Sequence, residues 1–157
     1  MTGSEIEIFG QLVLATILGA FVGLERELSK KAAGMRTFAL VSLGAAFFTI
    51  ISIMASEKFS DAKYLFDVSR IPSQIVLGVG FIGAGLIIFH SSQLRGLTTA
   101  AGLWVAAAIG MAVGFKIYLL AVFTTFLVVS IFVVFWFIEN QLVKKLASKP
   151  PKDNQEL

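Results

Sequence analysis

The chain has 157 residues, of which 57% are hydrophobic and only 15% charged, and its mean hydropathy is +0.86. A soluble domain carries about 25% charged residues, so lipid is the solvent for most of this chain. A formal charge of +3, divided between two sides of a membrane, excludes the solvated basic face that nucleic-acid binding needs. The lack of cysteine removes disulfides, thiolate catalysis and Cys-ligated metals.

The amino end carries Glu5 and Glu7 and no Lys or Arg before Arg26. A cleavable signal opens on a basic segment, so the first hydrophobic stretch is expected to be retained. Five spans are expected in chain order: about Ile6 to Leu24, Thr37 to Ala55, Ile71 to Phe89, Leu97 to Phe115 and Ile117 to Ile138. Each approaches the roughly 20 apolar residues that one crossing requires. Hydrocarbon forces the backbone to satisfy its own hydrogen bonds, and spans rich in Leu, Ile, Ala and Phe read as helices rather than alternating barrel strands. The expected fold class is therefore all-α, a polytopic membrane protein with a bundle of about five transmembrane helices over residues 1–139. Residues 140–157 are expected to form a basic and polar cytoplasmic tail.

Ala15, Gly19 and Gly23 recur every four residues of the first span and form one flat stripe for close helix packing. Glu25, Arg26 and Glu27 follow at the hydrocarbon edge, where an unpaired charge is costly. Arg36 opens the second span from the small, uncharged stretch Gly34-Met35-Arg36-Thr37, which looks built to admit a close neighbour.

The connection from Ser56 to Arg70 alternates Phe59, Tyr64, Leu65 and Phe66 with Lys58, Asp61, Lys63 and Asp67, as a short interfacial helix would. Asp67, Arg70 and Gln74 share one face if the third helix begins before Pro72. An Asp67–Arg70 pair would then fix the angle of that helix, and Gln74 would bond to a neighbouring helix.

The third span holds Gly78, Gly80, Gly83 and Gly85. Two readings stand: plain helix packing, or a mid-membrane break that frees backbone groups for a ligand. No Gly-Lys-Ser/Thr follows, so the run is not a phosphate loop. His90, the only histidine, reads as an interfacial residue.

Arg95 precedes the fourth span in Arg95-Gly96-Leu97-Thr98-Thr99, where the threonines are also candidate helix caps. The fourth span is dense in small residues, from Ala100 to Gly114. Leu97 to Ile138 contains one charge, Lys116; as a single helix these residues would extend about 63 Å, twice the bilayer core. The chain must turn back near Gly114-Phe115-Lys116, with glycine loosening the backbone. Phe123, Phe126, Phe132, Phe135, Trp136 and Phe137 point in all directions on the fifth span, which reads as a lipid-facing outer helix.

Nine basic residues fall on the side of the first connection, the third connection and the tail, against Lys58, Lys63, Arg70 and Lys116 on the other. The positive-inside rule then puts the amino end outside and the carboxyl end in the cytoplasm. The arginines near Glu25 can be nothing more than that bias, or they can form a partly buried ion-pair network or a shallow site for an anionic group. No nucleophile and base are placed together, no acidic cluster has metal-ligand spacing, and no cofactor is implied.

At these residues the sequence resembles the MgtC/SapB family of bacterial inner-membrane proteins. The resemblance covers about Leu14 to Tyr118. It rests on Gly19-Ala20-Phe21-Val22-Gly23-Leu24-Glu25-Arg26-Glu27, Ala33-Gly34-Met35-Arg36-Thr37 and Leu40-Val41-Ser42-Leu43-Gly44-Ala45. It continues through Asp67, Arg70, Gln74 and Gly78 to Gly85, and ends in Arg95-Gly96-Leu97-Thr98-Thr99-Ala100-Ala101, Leu103-Trp104 and Ala107-Ala108-Ile109-Gly110. The resemblance implies a five-helix inner-membrane domain with its carboxyl end inside. It also implies a role in binding and modulating other membrane proteins, including the ATP synthase and phosphate-sensing machinery, with survival in low magnesium as the setting. The chain looks like the shorter SapB-like branch without a soluble carboxyl-terminal domain. Carried over residue by residue, the positions expected to matter for a ligand or partner are Glu25, Arg26, Arg36, Asp67, Arg70, Gln74, Arg95, Thr98 and Thr99. Gly19, Gly23, Gly78, Gly80, Gly83 and Gly85 are the expected packing positions.

The resulting expectation is a non-enzymatic inner-membrane binding or regulatory module, with the link to magnesium or phosphate homeostasis that the resemblance implies. Its partners would be the bilayer, other inner-membrane proteins and further copies of itself. The alternative is a small transporter or channel for an ion or small anion.

Overall fold

The computed structural model describes residues 3–59, 67–90 and 93–147. Among them are five helices, α1 (Gly3–Leu28), α2 (Met35–Phe59), α3 (Arg70–Leu86), α4 (Leu97–Gly114) and α5 (Tyr118–Ala147). The connection from α3 to α4 contains a short antiparallel hairpin, β1 (Ile88–His90) with β2 (Gln93–Arg95), in which Ile88 pairs with Arg95. The third span therefore ends at Leu86, not Phe89, and His90 belongs to the hairpin. The interfacial helix expected between the second and third spans falls largely on residues 60–66, outside the described residues.

Four helices, α1, α2, α4 and α5, are long and apolar enough to cross a membrane, whereas α3 is a shorter apolar helix of 17 residues, about 25 Å long. Packing fixes how they alternate. Gly19 of α1 meets Phe38 and Ser42 of α2 while Gly23 meets Met35, so α1 and α2 are antiparallel. On α4, Gly102 meets Phe38, Gly110 meets Ser42 and Gly114 meets Ala46 and Thr49, so α4 runs parallel to α2. The chain between them must therefore return across the thickness of the bundle, and α3 makes that return, with its Gly83 against Ala100.

The centre of the bundle is α4, which touches each of the other helices. Its small side chains are the reason: Gly102, Ala106, Ala107, Gly110 and Gly114 are all buried. In lipid, neighbouring helices gain little from hiding apolar surface, and backbones that approach closely gain dispersion contacts instead. At Gly110 an added methyl would overlap the Ser42 carbonyl, and at Gly19 it would lie 2.6 Å from both the Phe38 carbonyl oxygen and Ser42 Cβ. Larger side chains fill the remaining space, with Phe38, Leu103, Ile109, Val22 and Val113 fully buried.

The turns at this bundle's ends close on lysines. The last turn of α1 is finished by Lys30 N–H to Glu27 O and Lys31 N–H to Arg26 O, with Lys30 at φ 52°. The last turn of α4 repeats the pattern, Lys116 N–H to Val113 O and Ile117 N–H to Ala112 O, with Lys116 at φ 62°. Both are Schellman closures, whose left-handed residue is usually glycine. Gly114 is thus not the residue that loosens the turn; it is the last helical residue, buried against Thr49.

The expected outer helix is only partly so. Phe123, Phe126, Phe135 and Phe137 are exposed, but Ala121, Thr125, Val128 and Phe132 form a buried stripe against the bundle. The third helix is unbroken from Arg70 to Leu86, so the glycine run does not interrupt it. Nor is that run consumed by packing. Gly83 contacts Ala100, but Gly78, Gly80 and Gly85 have no atom within 4 Å of where a side chain would stand, which corrects their assignment as packing positions within this chain.

Candidate functional site at the basic end of the bundle

Most described charges lie near helix ends or in the connections, and most polar groups buried inside the bundle bond to backbone. Gln11, 3% exposed, donates from Nε2 to the Val113 carbonyl at 2.9 Å and to Gly114 at 3.3 Å, tying α1 to the last turn of α4. Thr49 and Thr125 donate back to the carbonyls four residues earlier, and Ser52 donates to Val68 O. The Ser42 hydroxyl, wedged where α1, α2 and α4 cross, has no partner. Sequence reasoning did not single out Gln11. The signal was its isolation, because an amide in an apolar span must find an acceptor.

At the end holding the α1–α2 and α3–α4 connections, Arg26 is the central group. It is 3% exposed, pairs with the Glu25 carboxylate, and lies 3.6 Å over the Phe132 ring of α5. Ser29 Oγ donates to the other Glu25 oxygen at 2.8 Å. A desolvated guanidinium that keeps both a carboxylate and an aromatic face avoids much of the cost of burial. Glu27 does something different. Its carboxylate accepts from Met35 N–H at 2.9 Å and presses on Gly34, so the small stretch before Arg36 admits the Glu27 side chain.

Two clefts open beside Arg26. One, of about 390 Å³, is lined by Arg26, Lys31, Thr98, Thr99 and the α5 residues Phe132, Trp136 and Glu139 among others. The other, of about 750 Å³, is lined by Lys30, Lys31, Ala32, Leu86, Arg95, Gly96 and Thr99. They share Lys31, Gly96 and Thr99, so together they make one basin around the start of α4. Gly96 sits at φ 92°, where a side chain would run into the Leu86 carbonyl, and this lets the hairpin fold back onto α4. It is also the N-cap of α4, without a side-chain hydrogen bond, so Thr98 and Thr99 line the basin rather than cap the helix.

Of the candidate residues, Glu25, Arg26, Arg95, Thr98 and Thr99 are thus gathered at one end. Arg36 is exposed at the start of α2 and lines neither cleft. Asp67 and Arg70 lie at the opposite end, where Asp67 accepts from both Ser69 N–H (2.8 Å) and Ser69 Oγ (2.7 Å). Those bonds hold the Asp67 carboxyl below its ordinary value of 3.8, with Arg70 a lesser cause, so the expected Asp67–Arg70 pair gives way to a turn closed by Ser69. The benefit of the lowered value is present above about pH 3.8 and is lost only on stronger acidification. Gln74 makes no helix-to-helix bond among the described residues; it lines an apolar groove of about 620 Å³ between α2 and α3, with Thr37, Phe48 and Gly78.

Sequence reasoning missed two features. Glu7 and Lys116 pair at 2.9 Å at the same end as Asp67, and this raises the lysine above its ordinary 10.5. The pair therefore contributes below that value and is lost as pH rises beyond it. The other is the α5 wall of the basin: Phe132, Trp136 and Glu139 are four and three residues apart, a single helical face on which the only carboxylate of that helix stands.

Residues 12–141 match the MgtC family. The chain belongs to the MgtC family. Among curated relatives, this MgtC-family chain is 40% identical over 147 residues to YhiD of Escherichia coli (strain K12), named as a candidate magnesium transporter, covering 91% of the chain and 65% of YhiD. It is 41% identical to SapB of Bacillus subtilis (strain 168), covering 71% of the chain and 49% of SapB. It is 46% identical to MgtC of Salmonella typhimurium (strain 14028s), covering 66% of the chain and 41% of that protein. The chain thus spans less than two thirds of the length of each of these relatives. No solved structure gives a significant match. Family membership and four apolar helices make this a multi-pass bacterial membrane protein. Among the described residues no group of three or more His, Asp or Glu could hold a metal ion.

Proposed function

We propose that this chain is a non-enzymatic binding and regulatory module of the bacterial inner membrane, which acts on other membrane proteins through its basic end. That end faces the cytoplasm, because the connection 29–34, the strands Ile88–His90 and Gln93–Arg95 and the end of α5 gather there with most of the described basic residues. The observation that carries the reading is the contrast between interior and end. Between Glu7 and Glu25 the described bundle holds no charge on α1, none occurs on α4, and the buried hydroxyls and the Gln11 amide bond mostly to nearby backbone. A conducting path needs polar groups left free to replace an ion's hydration shell. Apart from the enclosed Ser42 hydroxyl and Gln74 in the groove between α2 and α3, the polar side chains open to a ligand border the basin of Lys30, Lys31, Arg95 and Thr98.

The transport reading draws on the name of YhiD, but α3, the helix that would have to break to offer a mid-membrane site, is continuous. The purified protein is to be reconstituted into liposomes loaded with a magnesium-sensitive dye, and separately captured from detergent-solubilised native membranes. The expected result is influx no faster than in empty vesicles, together with a stoichiometric membrane-protein partner that is lost on Lys31→Gln with Arg95→Gln. Saturable influx abolished by substitutions along α3 and α4 would replace this reading with transport.

A further inference from the structure

We propose that the basin at the start of α4 binds the phosphate of an anionic, acyl-bearing lipid of the adjacent leaflet. The inference rests on reading this end as a binding site and names its ligand. Four cationic side chains border the basin: Arg26 from the end of α1, Lys30 and Lys31 from the turn that follows, and Arg95 from the hairpin. Arg26 is already shared with Glu25, and Glu139 stands in the cleft on the α5 side. The cleft with Lys30, Lys31 and Arg95 contains no carboxylate in its lining, and none of these three has an ion pair among the described salt bridges. An anion placed there is drawn by three cations and repelled by Glu139 only from the neighbouring cleft. Arg95 supplies the planar fork that matches phosphate oxygens, and the lysines act as mobile point charges. The Thr99 side chain and the uncapped first turn of α4 border the same space.

The remainder of the basin identifies the rest of the molecule. Beyond Lys31 the lining becomes apolar, with Leu97, Ile131, Phe135 and Trp136, and these four are exposed. A free phosphate would use none of that wall. A lipid would use both parts at once, its phosphate on the basic side and an acyl chain along α5, with Trp136 at the depth where its ring suits the boundary between them.

The test compares the parent chain, the double variant Lys31→Gln with Arg95→Gln, and Arg36→Gln, which removes a charge at the same end outside both clefts. Each is measured by thermal unfolding and by native mass spectrometry in neutral detergent, after addition of phosphatidylcholine, phosphatidylglycerol or inorganic phosphate. The expected result is a rise of several degrees and retained lipid adducts with phosphatidylglycerol only. That response should be kept in Arg36→Gln and lost in the double variant, whose unfolding temperature without lipid stays near that of the parent. Equal responses in all three proteins, or to both lipids, would overturn the proposal by reducing it to general surface charge or detergent replacement. A response to inorganic phosphate as large as that to phosphatidylglycerol would overturn the lipid assignment. No lipid response in the parent protein, while its partner is still captured from native membranes, would refute this inference and leave the regulatory reading intact.

Discussion

Arg26 shows how much one residue's setting matters. It was legible in the sequence as an arginine at the hydrocarbon edge, and the rule that such charges find partners pointed to a carboxylate nearby. The sequence did not tell which of several arginines would be buried, because that depends on α5 returning to place Phe132 over the guanidinium. Arg36 sits in an equally small-residue context, yet the space there is taken by Glu27. Since Arg26 is nearly inaccessible and Glu25 carries its counter-charge, Glu25→Gln leaves a buried cation with only the ring to face. We expect a loss of about 3 kcal/mol, read as a lowered midpoint in denaturant unfolding in detergent. Glu27→Gln, which keeps an acceptor for Met35 N–H, should cost far less. A Glu25→Gln protein as stable as the parent would mean that the pair does not form in the membrane.

At the scale of helices, glycine has two meanings here, and sequence alone offers no means of separating them. The stripe on α1 and the small residues of α4 were legible as packing surfaces because their spacing keeps them on one face. The glycines of α3 carry an equally strong pattern, but α3 touches only part of the bundle, so Gly78, Gly80 and Gly85 remain open. Substitution separates the two kinds. Gly110→Ala should cost at least 1–3 kcal/mol, because its methyl meets the backbone of α2 rather than a movable side chain. Gly78→Ala and Gly85→Ala should be neutral or stabilising by up to about 1 kcal/mol, since alanine is the better helix former. Thermal unfolding of the purified variants in detergent checks both, and destabilisation at Gly78 or Gly85 would place another chain against that face. The span boundaries were legible to within a few residues because hydropathy sets them, except that α5 continues as helix to Ala147, nine residues past Ile138. The hairpin was not, because it depends on Gly96 reaching φ 92° beside Leu86, a tertiary contact.

For the whole molecule, the parallel course of α2 and α4 carries the topology. It requires five crossings even though α3 is shorter than the other four helices, and it puts the α1–α2 turn and the end of α5 on one side. Single cysteines at Lys30 and Lys144, introduced into this cysteine-free chain, should therefore be labelled from the same side by an impermeant maleimide in intact spheroplasts and inverted vesicles. One at Lys116 should react from the other side. Opposite accessibility of Lys30 and Lys144 would contradict the arrangement of the helices.

The dependence of α3 on α4 also has a temporal side. Its buried residues Val79 and Gly83 lie against Ala107 and Ala100, which the ribosome makes later. Until α4 enters the bilayer, α3 can rest only on α2, with most of its surface in lipid. A nascent chain halted in the hairpin would therefore hold a loosely anchored third segment, which makes arrival of the fourth the step that commits this protein to its final form.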